Sequence, residues 1–177
     1  DFTARVNMNL REDKGWSYGA RTQIVAARGQ RPFMAVAPVQ TDKTGAAMAE
    51  LKREIKAMRG TRPPEADEIA KVKDRRTLSL PGRWETASAL VDSLSEIVRF
   101  GLPDDYWHTY ADAVRGLSEA EIRQAAVDVM RPEGLIWVVV GDRSRIEEDI
   151  QALGIGEVLP LDSDGSPLVP DAPGVGG

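Results

Sequence analysis

The sequence predicts an α+β fold, a small and mostly antiparallel sheet with a layer of helices on one face. Three observations carry that reading. Two segments rich in β-branched and aromatic residues, Trp16 to Ala27 and Pro32 to Gln40, flank the turn cluster Arg28-Gly29-Gln30 and read as a hairpin. Apolar residues at three- and four-residue spacing then recur from Ala47 to Met130, which predicts consecutive helices. The continuous apolar run Leu135 to Val140 follows and reads as a strand buried on both faces. Strands, then helices, then a strand is the order expected when helices are segregated to one side of a sheet.

Taken in order, Phe2, Val6 and Leu10 fall at i, i+4 and i+8, the last turns of a helix that Gly15 can close in a left-handed C-cap. Pro38 suits an edge or a bulge of the second strand. Thr41-Asp42-Lys43-Thr44 supplies capping oxygens, and Ala47, Met48, Leu51, Ile55 and Met58 keep helical spacing up to Gly60. Thr61-Arg62-Pro63-Pro64 opens the next helix, with Ile69, Val72 and Leu78 inward. Pro81-Gly82 interrupts it before Ala87, Leu90, Val91, Leu94, Ile97 and Val98 resume the pattern. After the stop Gly101-Leu102-Pro103, Asp104 or Asp105 can cap a helix to about Arg115. Ser118-Glu119-Ala120-Glu121 resembles a capping box opening another, with Ile122, Ala125, Ala126, Val129 and Met130 on one face. Ile146, Ile150 and Leu153 mark a short closing helix. Residues 1–161 thus read as one domain, and residues 162–177, rich in Asp, Ser, Gly and Pro, as a flexible tail.

With 177 residues, 42% apolar and 29% charged, the chain has the composition of a globular domain. A net charge of -5 without a basic face argues against nucleic-acid binding. No apolar run approaches the roughly 18 residues of a transmembrane helix. Cysteine is absent, which excludes disulfides and thiolate metal sites. Asp1-Phe2-Thr3 is not a natural start, so an upstream segment is expected, and any signal for export to a bacterial periplasm or envelope would lie there.

Chemistry-bearing residues are few. His108 is the single histidine, whereas a catalytic zinc normally takes three protein ligands, so no metal site is expected in this chain. Gly154-Ile155-Gly156 lacks the strand, the third glycine and the helix of a dinucleotide fingerprint. The acidic groups Glu65-Ala66-Asp67-Glu68 and Glu147-Glu148-Asp149 lie near expected helix N-termini and read as solvated caps. Arg11 and Tyr18 remain, on either side of the Gly15 corner. In one reading Arg11 pairs with a neighbouring acid or the helix end while Tyr18 packs half-buried on its strand. In the other, the corner presents a fixed cation and a phenol, two donors suited to a peptide carbonyl or an oxyanion.

The string FTARVNMNLREDKGWSYGAR closely resembles the C-terminal half-domain of the pitrilysin/insulinase family of zinc metallopeptidases, the processing-peptidase type. VQTDKT before a helix, LPGRWET, FGLPDDYW, a Ser/Thr-opened helix and VVVGD follow in the family's order, so the resemblance covers Phe2 to about Leu161. It implies a metallohydrolase half-domain without metal, facing a half or subunit in which an HxxEH motif and a downstream glutamate hold zinc. It also implies that Tyr18 donates to the scissile carbonyl oxygen or the tetrahedral intermediate and that Arg11 binds the backbone of a peptide substrate. Two departures stand out: Ala4 replaces the family's usual serine, and the first strand and most of the first helix are missing. Self-association of the chain is expected from that loss. The competing implication is a non-catalytic structural or regulatory subunit, and a third is an enzyme dedicated to one precursor peptide.

Overall fold

A computed structural model describes residues 3–168; Asp1, Phe2 and the tail residues 169–177 lie outside the described part. The chain enters through a short helix, α1 (Arg5–Asn7), which widens into a π-helical turn over Met8–Asp13. Gly15 ends it at φ 64°, where its N–H donates to the Arg11 carbonyl (3.1 Å) and the Trp16 N–H reaches back to that of Leu10 (2.9 Å). A residue with a Cβ resists that left-handed conformation, so glycine belongs at this corner.

The hairpin forms, but its strands are shorter than the pattern suggests. β1 (Arg21–Ile24) pairs antiparallel with β2 (Phe33–Val36) in the register Arg21 with Val36 and Ile24 with Phe33, and an isolated bridge joins Ser17 to Val39. Helices then dominate: α2 (Thr44–Arg59), entered through a 3₁₀ turn at Thr41–Lys43, α3 (Ala66–Leu78), α4 (Leu80–Arg83), α5 (Ala87–Phe100), α6 (Tyr106–Gly116), α7 (Glu119–Val129) and α8 (Arg143–Ala152). The α+β class holds, as a mostly helical domain with a two-stranded antiparallel sheet among the described residues.

Val6, Leu10, Ala20, Ala47 and Leu51 form the core where α1 and its π turn meet α2, and Trp16, Ala35, Ala37, Val39 and Trp137 pack on it from the sheet side. α2 is also the support for α7 and α8, and α3 pairs with α6. At the α2–α8 crossing Gly45 leaves no room for a side chain: a Cβ there would stand 3.0 Å from the Asp149 Cβ and 3.2 Å from the Asp149 carbonyl oxygen. Gly45→Ala is therefore expected to destabilise the domain by about 1–3 kcal/mol despite alanine's better helix propensity. A midpoint in urea unchanged or raised would show that α8 yields.

Several sequence expectations change, and of the residues expected inward on α3 only Ile69 is buried, Val72 and Leu78 being exposed. Leu135 to Val140 belongs to no strand among the described residues, and Ile136, Val138 and Val140 are 91%, 86% and 95% exposed while Trp137 packs on the core. An apolar run shows that burial is favourable, but burial on both faces requires elements packed above and below it. The apolar stripe of α5 likewise leaves Leu90, Val91, Leu94 and Val98 exposed. This helix attaches through its opposite side, where the buried Ser93 hydroxyl accepts from Trp84 Nε1 (3.0 Å) and its carbonyl from Trp107 Nε1 (3.3 Å), with the Arg83 guanidinium stacked 4.0 Å from the Trp107 ring. The expected caps form in part: neither Lys43 before α2 nor Asp105 before α6 makes a side-chain cap bond, and Thr44 Oγ1 instead donates to the Thr41 carbonyl (2.9 Å). Ser118 and Glu121 form the expected capping box, and α8 starts at Asp142, whose carboxylate accepts from the Ser144 N–H; Glu147 lies a turn inside the helix and pairs with Arg143 (2.7 Å). At the end of the described chain, residues 160–168 fold back, with the Leu168 N–H on the Pro160 carbonyl (2.9 Å).

Candidate functional site at the glycine corner

Tyr18 sits on a bend after the Ser17 bridge, outside either strand, and is 97% exposed. A half-buried tyrosine packed on its strand is thus not what the fold produces. The bend itself is firmly held. Ser17 Oγ donates to the Pro38 carbonyl (2.6 Å) and accepts from the Gly19 N–H (3.1 Å), and the Ala20 N–H donates to the buried Asn7 Oδ1 (3.0 Å). The Gln40 N–H bonds the Trp16 carbonyl (3.0 Å), which ties the far end of the hairpin to the corner. The phenol therefore projects to water from a backbone whose freedom is already spent, the arrangement that lowers the ordering cost of engaging a ligand.

Arg11 lies in the π turn with its side chain 43% exposed, its Nε 3.2 Å from Glu12 Oε1. A π turn adds one residue to the helical circuit and so changes which side chains emerge together at the helix end, a common device at functional sites. Arg11 and Tyr18 are held at the two ends of one hydrogen-bonded corner, both reaching solvent.

Below the corner lies a polar cluster that the sequence reading does not single out. Asn9 is buried and donates from Nδ2 to both Glu50 Oε2 and Glu54 Oε1 (2.8 Å each), and Lys14 sits 3.9 Å from Glu50 and 5.2 Å from the centre of the Trp16 ring. Burial pushes the Glu50 carboxyl up, but hydrogen bonds from Arg53 and Asn9 outweigh it and hold its pKa below the usual value. Farther along α1, Arg5 has a side chain only 7% exposed; it grips both oxygens of Glu68 (2.8 and 2.5 Å) and donates to the Arg62 and Pro63 carbonyls. Glu68 in turn accepts from the Glu65 N–H (2.9 Å), so this acid is a helix cap and an ion-pair partner at once. The available clue was positional: Arg5, Asn7 and Asn9 interleave with the apolar stripe Val6 and Leu10.

Among the described residues no group of three His, Cys, Asp or Glu side chains is placed to hold a metal ion, and His108 lies exposed on α6. No helix among the described residues is long and apolar enough to cross a membrane. Neither a protein-family model nor a curated protein matches the sequence. Among solved structures the fold is similar to a peptidase M16 inactive domain from Pseudomonas fluorescens, with a TM-score of 0.67 at 16% identity over 75% of this chain. The similarity spans 31% of that longer chain and establishes the fold.

Proposed function

We propose that this chain is the metal-free half of a zinc metalloendopeptidase, walling its substrate chamber and turning Tyr18 and Arg11 onto the bound peptide. The observation that carries the reading is the nearly complete exposure of Tyr18 on a bend held by Ser17 and Asn7. The likeness to a solved domain described as a peptidase M16 inactive domain supports a half that holds no catalytic metal. Zinc, held by HxxEH in the partner half or subunit, would supply the activated water. The residues of this chain bind and polarise. Tyr18 O–H donates to the carbonyl oxygen that gains negative charge, and the Arg11 guanidinium holds a backbone carbonyl of the same peptide, fixing the substrate's register.

Arg11→Lys tests the binding role in the enzyme assembled with its zinc half. Lysine keeps the charge but loses the planar fork, so KM should rise several-fold while kcat changes less. Equal KM for variant and parent would remove Arg11 from the site. The second reading, a structural or regulatory subunit without catalysis, is favoured by the word "inactive" in the description of the solved neighbour. It predicts that both Tyr18 and Arg11 can be replaced without kinetic effect in any assembly.

A further inference from the structure

The π turn that carries Arg11 has a cause outside its own segment. In an α-helix the Asp13 N–H would reach the Asn9 carbonyl; here the Lys14 N–H does (3.2 Å), five residues on. Turns of this kind are rare in proteins, so a contact from elsewhere in the fold has to favour this one.

Glu50 of α2 supplies that contact. Its carboxylate accepts from Asn9 Nδ2 (2.8 Å) and lies 3.9 Å from Lys14 Nζ, so one side chain holds both residues that the i, i+5 bond joins. At 3.6 residues per turn, two residues five apart on an α-helix point about 140° away from each other, too far round for one carboxylate to meet both. The π register brings them to one face. The carboxylate is itself fixed, since Arg53 donates to it from Nε and Nη2 (3.0 and 2.5 Å), and Lys14 also packs over the Trp16 ring. Glu54 accepts the other Asn9 N–H (2.8 Å) and pairs with Arg53 (3.2 Å), which anchors the near end of the turn. Asn9 is buried, so leaving its amide without acceptors is costly, and the hold is correspondingly firm.

Arg11 lies inside the circuit that these two ends close, and the register therefore decides from which side of the helix its guanidinium emerges. We infer that Glu50 is a positioning residue for Arg11: by holding Asn9 and Lys14 together it selects the π register and so fixes where Arg11 meets a peptide. The inference rests on the peptidase reading for the role of Arg11, whereas the hold on the turn is a property of the chain alone.

Amide hydrogen exchange on the intact chain tests the hold. Glu50→Ala is expected to speed exchange of the Lys14 amide by about ten-fold or more, while amides of α6 keep their protection. Glu50→Gln still offers Asn9 an acceptor but drops the charge facing Lys14, so about three-fold is expected, and this milder variant decides alone if Glu50→Ala does not fold. Unaltered exchange at Lys14, or the same acceleration at Lys14 and throughout α6, would overturn the inference, the latter because it reports a general loss of stability. Steady-state kinetics in an assembly with an HxxEH half test the consequence. Glu50→Gln should raise KM by about two- to four-fold with kcat less affected, and should leave KM unchanged in an Arg11→Ala background, where no guanidinium remains to be placed. Equal rises in KM in both backgrounds would overturn the positioning role. An Arg11→Ala variant with the parent's KM would count against the peptidase reading instead, and the exchange measurement would still decide whether Glu50 holds the turn.

Discussion

On the proposed peptidase function, Tyr18→Phe in an assembly with an HxxEH half is expected to lower kcat by roughly 10²–10³-fold with little change in KM, the effect of removing a single oxyanion donor. The substitution deletes one hydroxyl and keeps the ring. Because the side chain is 97% exposed and the bend is held by Ser17, Gly19 and Asn7, the melting temperature should not move. Steady-state kinetics and thermal melts on the same sample separate chemistry from folding. A kcat within about two-fold of the parent would end the catalytic role assigned to Tyr18, while leaving a substrate-binding role for Arg11 to be judged on its own variant.

The second large effect concerns stability. Arg5→Met retains much of the aliphatic volume but removes every hydrogen bond to Glu68 and to the Arg62 and Pro63 carbonyls. Truncating one partner of a buried ion pair costs about 3–5 kcal/mol; Glu68, with a side chain 37% exposed, recovers some hydration, so about 2–4 kcal/mol is expected here. For a domain of this size that is a fall in Tm on the order of 4–16 °C. A Tm unchanged within 2 °C, roughly half the smallest expected fall, would show the clamp to be dispensable. The pH dependence has a definite sign. Arg5's hydrogen bond holds the Glu68 carboxyl below its ordinary value of 4.5, so the pair's stabilisation is complete above that pH and is lost as pH falls through the lowered value. Glu68→Gln should flatten the acid limb of a stability–pH curve, and an unaltered limb would assign it to other carboxylates.

Much of this molecule is legible from local pattern. The helices after Thr44, the Ser118–Glu121 box and the left-handed Gly15 follow from spacing and from the conformational needs of single residues, interactions that close within a few positions of the chain. The Arg11–Tyr18 corner could be proposed for the same reason, because a glycine stop between a helix and a hairpin is local. The exposure of Tyr18 could not. It depends on Ser17 meeting Pro38 and on Asn7 meeting Ala20, contacts across 21 and 13 positions. The Arg5 clamp spans 63 positions, so neither segment alone could reveal the other as its partner. The apolar runs are the instructive failures. Leu135 to Val140 and the α5 stripe declare that burial would be favourable, whereas burial itself requires a surface brought alongside, and the described fold leaves both facing water. The sequence by itself determined which segments turn into helices, where they stop and which residues carry donors. Only the tertiary structure decided which apolar faces are covered, which carboxylate answers Arg5 and which tyrosine stands in solvent, since each rests on contacts between residues far apart in the chain.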